Sequence, residues 1–306
     1  MNLYSLAKTF PTEEHALAYW IKVRWPDGVK CVACDNAKVY LIETKGTTGK
    51  AYRKFECSDC GLHFSPTANT IFHDSHLPLQ KWFMAIALMT EAKKGISASQ
   101  LGRHLQVSYK TAWHLCQRIR EAMQEPKGLK LGGESVTVEI DETYIGGTKR
   151  GQGVRAGKRS KTVVVGMAER DGSIYLKTVK SSKERHVRPV IASKLDRKTE
   201  KVVTDGDLKY RSMFPADRHV RGNHKRELRN KNWTSTQTIE NAFSLFKRGI
   251  VGNYHQLGTE HLDRYLNEFC WRYNRRRMQP WLFDMVLTNM TTTKPLPYKV
   301  LVDDGF

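Results

Sequence analysis

At 306 residues, with a formal net charge of +20 and a pI near 9.7, the chain can hold a sizeable core plus one or two small modules, and its charge calls for a polyanionic partner. No apolar run approaches the roughly 20 residues that a membrane span needs; residues 82–89 come nearest and are flanked by Lys, which argues against a membrane protein. The N-terminus lacks a charged segment followed by an apolar core and a cleavage site, so the cytoplasm is the expected location.

Thr12, the acids Glu13 and Glu14, and an apolar stripe through Trp20 and Ile21 predict a short helix within residues 1–30, ending before Pro26-Asp27-Gly28. Cys31-Val32-Ala33-Cys34 and Cys57-Ser58-Asp59-Cys60 then repeat one knuckle spacing, with 22 residues between them. Four thiolates on two tight turns can close a tetrahedron around structural Zn2+, with Val39-Tyr40-Leu41-Ile42 and Tyr52-Arg53-Lys54-Phe55 as strands of a zinc ribbon over residues 31–75. A redox dithiol is the rival reading, although that chemistry normally uses one such pair at a helix start. His63 follows a site that is already full, and the lone Cys116 and Cys270 read as core residues.

Residues 77–92 predict a helix that begins near Pro78 and carries Leu79, Trp82, Phe83, Ile86 and Met89 at helical spacing. Ser97-Ala98-Ser99-Gln100 opens a further short helix, and Ser108 opens another with Ala112, Leu115, Ile119 and Met123 inward. Over residues 76–126 this matches a helix-turn-helix whose second helix turns Tyr109, Lys110, His114, Gln117 and Arg118 outward, toward phosphates and base edges in a major groove. Any pair of antiparallel helices gives a similar pattern. Pro126-Lys127-Gly128 and Gly132-Gly133 mark a linker.

In Val136-Thr137-Val138-Glu139-Ile140-Asp141-Glu142-Thr143-Tyr144-Ile145-Gly146-Gly147 the apolar Val136, Val138 and Ile140 alternate with Thr137, Glu139 and Asp141. The alternation predicts a strand that buries one face and holds Asp141 on the other, where a carboxylate is well placed to bind metal. Glu139 shares that face and is the rival ligand. The loop over residues 148–161 carries six Lys or Arg, including Lys149, Arg150, Arg155, Lys158 and Arg159, which suits a phosphate backbone or a solvated surface. A buried strand over residues 162–168, the turn Asp171-Gly172 and a strand over residues 173–179 form a hairpin. A helix around residues 187–195 leads to the strand that ends at Asp205, and after a basic segment a helix carries Glu240. Three antiparallel strands, a helical crossover, a further strand and then helices suggest an α/β, ribonuclease-H-like catalytic domain over residues 134–278, with a tail over residues 279–306.

Asp141, Asp205 and Glu240 are the candidate ligands for Mg2+ or Mn2+. Two such ions can activate an attacking oxygen and stabilise the leaving alkoxide in phosphodiester cleavage. Lys247, two turns beyond Glu240 on the same helix face, and the adjacent Arg248 are placed to hold a DNA phosphate. Glu142, Asp207 and Asn241 are the neighbouring rivals. His224 raises a His-metal nuclease as another reading, without a partnering His-Asn-His arrangement.

Three segments carry a resemblance: residues 138–147, Thr204-Asp205-Gly206, and Ile239-Glu240-Asn241-Ala242-Phe243-Ser244-Leu245-Phe246-Lys247-Arg248-Gly249 through His255. They resemble the core of bacterial DDE insertion-sequence transposases of the ISXO-like group, which also carry an N-terminal zinc ribbon. The similarity extends through Tyr265-Leu266-Asn267-Glu268-Phe269 and Arg272-Tyr273-Asn274, while Gln237 departs from the Asn that relatives often place before the third acid. The resemblance implies a ribonuclease-H-like catalytic domain, terminal inverted repeats as substrate, and Asp141, Asp205 and Glu240 as the triad, with Lys247 following it. The expected function is therefore a DNA transposase that binds double-stranded element ends and target DNA as a homodimer or higher oligomer, cleaves a strand and transfers it. A non-catalytic DNA-binding regulator retaining the same fold is the alternative, and a ribosome-associated protein is the third reading.

Overall fold

The computed structural model describes residues 1–45, 51–126, 128–146, 161–222, 235–255 and 257–303. Its helices are α1 (Leu3–Thr9), α2 (Glu13–Arg24), α3 (Leu79–Glu91), α4 (Ala98–Leu105), α5 (Tyr109–Ala122), α6 (Glu184–Lys194), α7 (Gln237–Gly249), α8 (Leu262–Asn274), α9 (Leu282–Thr292) and α10 (Tyr298–Asp303). The strands are β1 (Val39–Lys45), β2 (Ala51–Cys57), β3 (His63–Phe64), β4 (Thr137–Ile145), β5 (Thr162–Glu169), β6 (Ile174–Val179), β7 (Lys201–Thr204) and β8 (His219–Arg221). Two compact units emerge, Met1–Met123 with Met278–Phe306, and Gln124–Arg277.

The first unit joins an antiparallel β1-β2-β3 ribbon to helices packed through aromatic edges. Phe10, Phe83 and Phe283 meet at centroid distances of 5.0 and 5.5 Å, and Trp20, Phe72 and Trp82 at 4.7 and 4.8 Å. Phe283, Val286, Leu287 and Met290 of α9 are wholly buried, so the C-terminal residues are a core element of this unit. Ser97 and Ser108 cap α4 and α5 by accepting from Gln100 N and Thr111 N at 3.1 and 3.2 Å. Thr12 makes no such cap on α2, because its hydroxyl pairs with His15 Nδ1 at 2.8 Å.

The outward face expected of α5 is corrected by this packing. Tyr109 and Lys110 are exposed, but Gln117 and Arg118 are buried and His114 is half-buried. Arg118 donates to the His73 carbonyl at 2.8 Å and lies 5.0 Å from the Trp82 ring, so its head group is spent within the unit. His114 Nε2 meets the Leu296 carbonyl at 3.2 Å, and the Tyr298 ring packs against His114 while lying 4.6 Å from Lys110 Nζ. A helical face that looked polar in sequence is covered by a segment more than 170 residues further along.

The second unit is built on a five-stranded sheet in the order β6-β5-β4-β7-β8. β4 pairs antiparallel with β5 and parallel with β7, so the chain runs out along a meander and returns through α6 to the other side of β4. The meander's hairpin turns at Asp171, which takes φ of 58°, and closes with Glu169 N donating to the Ser173 carbonyl at 2.9 Å. Helices α7 and α8 bury Ile239, Phe243, Leu266 and Phe269 on one face of the sheet, with Val164 and Ile145. α6 and Tyr210 cover the other, with Val138, Ile140 and Met167. Both faces of β4 are therefore packed, and the polar face expected of it is enclosed between sheet and helix. Gly166, opposite Asp141 on β5, makes this possible: a Cβ there would fall 2.5 Å from Phe243 Cζ and 2.6 Å from Ile239 Cδ1.

Candidate functional site

The metal-binding thiols are set by the ribbon. Each knuckle closes in the same way, with the residue after its second cysteine in the left-handed region, Asp35 at φ 57° and Gly61 at φ 66°. The N–H groups of these residues donate back to the Cys31 and Cys57 carbonyls at 3.1 and 3.0 Å. The ligating atoms of Cys31, Cys34, Cys57 and Cys60 all lie within 4.8 Å of one another, with Cys31–Cys60, Cys34–Cys57 and Cys34–Cys60 at 3.5 to 3.6 Å. A disulfide would need about 2.05 Å, whereas the edge of a tetrahedron with Zn–S bonds of about 2.3 Å is about 3.8 Å. Without metal the four thiols share protons: the backbone N–H groups of Ala33 and Cys34 pull the Cys31 thiol down, while hydrogen bonds with neighbouring thiols and burial hold Cys34 and Cys60 up.

The three acids come from three elements of the second unit. Ile140 on β4 pairs with Thr204 on β7 in parallel register, so Asp141, within β4, and Asp205, just past the end of β7, lie on neighbouring strands one residue further on. Glu240 lies in the first turn of α7, on the face of the sheet to which Asp141 points. Burial pushes the Asp141 carboxyl up to about 7, opposed by the Glu142 N–H that it accepts at 2.8 Å and reinforced by the charges of Asp205, Glu142 and Glu240. The three acids thus share one electrostatic environment. They do not converge as tightly as the thiols, which are the one described group of three or more potential ligands to meet within 4.8 Å. Three half-buried, hard oxygen donors whose charges oppose one another fit a divalent cation of the Mg2+ type.

Neighbouring residues sort by the pleat of β4. Glu142 points to the opposite face, where it accepts from Lys209 Nζ at 2.7 Å and from the Tyr210 hydroxyl, and Lys209 also reaches Asp207 at 2.9 Å. Glu139 and Thr143 point with Asp141 toward α7. Glu139 is 2 % exposed and binds the start of α7 through Thr238 N at 2.7 Å and Ile239 N at 3.1 Å. Thr143 receives Lys247 Nζ at 2.5 Å near the other end of that helix. Arg248 is exposed on α7, whereas Lys149, Arg150, Arg155, Lys158, Arg159 and His224 lie outside the described residues.

In the sequence Glu139 reads only as a rival ligand, and nothing local marks Arg170, Lys209 or Gly166. The available signal was a carboxylate placed between two core valine and isoleucine positions, which needs a buried partner from elsewhere in the chain.

A family model described as an ISXO2-like transposase domain matches residues 130–274, and one described as a transposase zinc-ribbon domain matches residues 11–63. The second span contains all four ligating cysteines, which supports structural Zn2+ at that site. The chain is also 30% identical over 229 residues to a Halobacterium salinarum protein described as an uncharacterized protein in transposable element ISH50, across 69% of this chain and 72% of that one. Among the described residues no helix is long and apolar enough to cross a membrane. On these matches the chain belongs to the ISXO2-like DDE transposases of insertion sequences, with the zinc ribbon of that family at its N-terminal side.

Proposed function

We propose that the second unit is a ribonuclease-H-like catalytic domain in which Asp141, Asp205 and Glu240 hold Mg2+ or Mn2+ for cutting and joining DNA. The observation that carries the reading is the grouping of these acids at one place: Asp141 and Asp205 stand on neighbouring strands with Glu240 on the helix above, and burial, reinforced by the charges of Asp205, Glu142 and Glu240, raises the Asp141 carboxyl to about 7, which a shared divalent cation would relieve. Such ions, when bound, supply a nucleophilic oxygen at neutral pH and neutralise the charge on the departing alkoxide. The chain's own residues do the remainder. Lys247, tied to Thr143 beside the acids, is positioned to take a backbone phosphate, and the six Lys and Arg of the sequence 148–161 supply further phosphate contacts. The zinc ribbon and a helix-turn-helix formed by α4 and α5 bind the element's terminal inverted repeats, with Tyr109 and Lys110 as the exposed contacts of α5.

In this account a strand is hydrolysed to free a 3′-hydroxyl, and that hydroxyl then attacks target DNA at the same acids. Both ends of an element must be held together, so the working form is a dimer or a larger assembly on DNA in the cytoplasm. The test is cleavage and strand transfer on a labelled element-end duplex with Mg2+. Asp141→Ala, Asp205→Ala and Glu240→Ala each abolish both steps while duplex binding persists. Unchanged activity in any of the three removes that residue from the site, and binding without Mg2+-dependent cleavage in the native protein favours a DNA-binding regulator.

A further inference from the structure

The start of α7 has an unusual division of labour. The first turn of any helix presents backbone N–H groups without intrahelical partners, and a Thr at the residue before the helix ordinarily satisfies one of them. Thr236 occupies that position but makes no cap; its hydroxyl instead donates to Glu240 Oε1 at 2.7 Å. The vacated capping role falls to Glu139, on β4 and almost 100 residues earlier. Glu139 Oε2 accepts from Thr238 N at 2.7 Å and Ile239 N at 3.1 Å, and Oε1 accepts from Thr238 Oγ1 at 3.0 Å and Arg170 Nε at 3.0 Å. Arg170 is itself fixed to the segment entering the helix, through Nη2 to the Ser235 carbonyl at 3.2 Å.

This carboxylate is 2 % exposed and accepts four hydrogen bonds, all from residues that lead into α7 or brace it. A positive helix end, a guanidinium and a hydroxyl account for both of its oxygens, which leaves it poorly disposed to ligate metal. It stands two residues before Asp141 on the same face of the same strand. Its grip therefore fixes the height and rotation of α7 relative to Asp141, and Glu240 is one residue beyond the last N–H it holds.

We propose that Glu139, braced by Arg170, is a positioning residue that sets Glu240 against Asp141 and Asp205, and that Thr236 orients the Glu240 carboxylate. The inference rests on the metal-site reading above. Glu139→Gln cannot reproduce the clamp, since an amide offers one accepting oxygen where two are used and turns an N–H group toward other donors.

The experiment measures Mn2+ affinity of the full chain by electron paramagnetic resonance of the free ion, with Asp141→Asn, Glu240→Gln, Glu139→Gln and the double variant Glu139→Gln/Glu240→Gln. Glu139→Gln is expected to weaken Mn2+ binding roughly 10-fold, and to have no further effect once Glu240 has been replaced, because it acts through that residue. A ligand, or a residue that merely holds the fold together, would instead add its loss to that of Glu240→Gln. If Glu139→Gln does not fold, Glu139→Asp, which keeps the charge but retracts it by one methylene, carries the same cycle. Undiminished affinity in Asp141→Asn overturns the metal site and this inference together. Weakened affinity in Asp141→Asn and Glu240→Gln, with none in Glu139→Gln or with additive losses, overturns the positioning role alone.

Discussion

The carboxyl of Asp141 is strongly shifted, and the sign of that shift makes a prediction. Burial, with Asp205, Glu142 and Glu240 close by, raises its carboxyl from the ordinary 3.8 to about 7, so the folded chain holds that proton more tightly than the unfolded chain does. Folding stability contributed by the protonated group is thus lost as pH climbs from the ordinary carboxylate range through about 7. In buffer without added divalent cation, Asp141→Asn should raise the melting temperature at pH 8 by clearly more than at pH 5, as read by scanning calorimetry; an equal gain at both would contradict the shift. Asp141 itself was legible from strand alternation, and Asp205 from its place at the end of an apolar run. The role of Glu139 was not. Period-two patterning places it beside Asp141, but its partners Thr238 and Ile239 are brought there by long-range packing. Gln117 and Arg118 failed for a related reason, since the residues that bury an α5 side chain include Trp82 and His73 on earlier segments.

At the scale of elements, α7 is held to the sheet at three points: Glu139 at its start, Gly166 under its middle and Thr143 near its end. The middle contact depends on the lack of a side chain. Gly166→Ala would drive a methyl into Phe243 and Ile239, both in the core, and is expected to cost about 1–3 kcal/mol in denaturant melts; a neutral result would mean that α7 can move outward freely. The ribbon makes an independent prediction. Cys31→Ser/Cys57→Ser should lose stoichiometric zinc by metal analysis, with β1 and β2 losing hydrogen-exchange protection, and retained zinc would contradict four-thiolate ligation. Both knuckles and the Asp171-Gly172 hairpin could be read from sequence because their determinants lie within a few residues of one another. The burial of α9 could not, because a tail with Pro280, Pro295 and Pro297 reads as a short helix and an extended arm until Phe10 and Phe83 are found beside Phe283.

Across the whole molecule, chain order and spatial grouping differ. The N-terminal 123 residues are completed by the last 29, and the acids all belong to the intervening unit, Gln124–Arg277. The sheet order β6-β5-β4-β7-β8 places β4 at the centre, so its residue after Ile140 and the residue after Thr204 on β7 emerge side by side. With a net charge of +20, the chain is suited to a polyanion, and the acids form a small negative site within it. That contrast suits the proposed DNA-cutting centre, in which cations would hold the backbone and carboxylates would hold metal where the backbone is cut. The central claim is most directly tested by a crystal structure of the full chain soaked in Mn2+, with anomalous scattering used to locate the ion. The account predicts anomalous density bonded to oxygens of Asp141, Asp205 and Glu240, at about 2.0–2.3 Å, with Glu139 still bound to α7; density held by Glu139, or by Glu142 and Asp207 without Glu240, would contradict it.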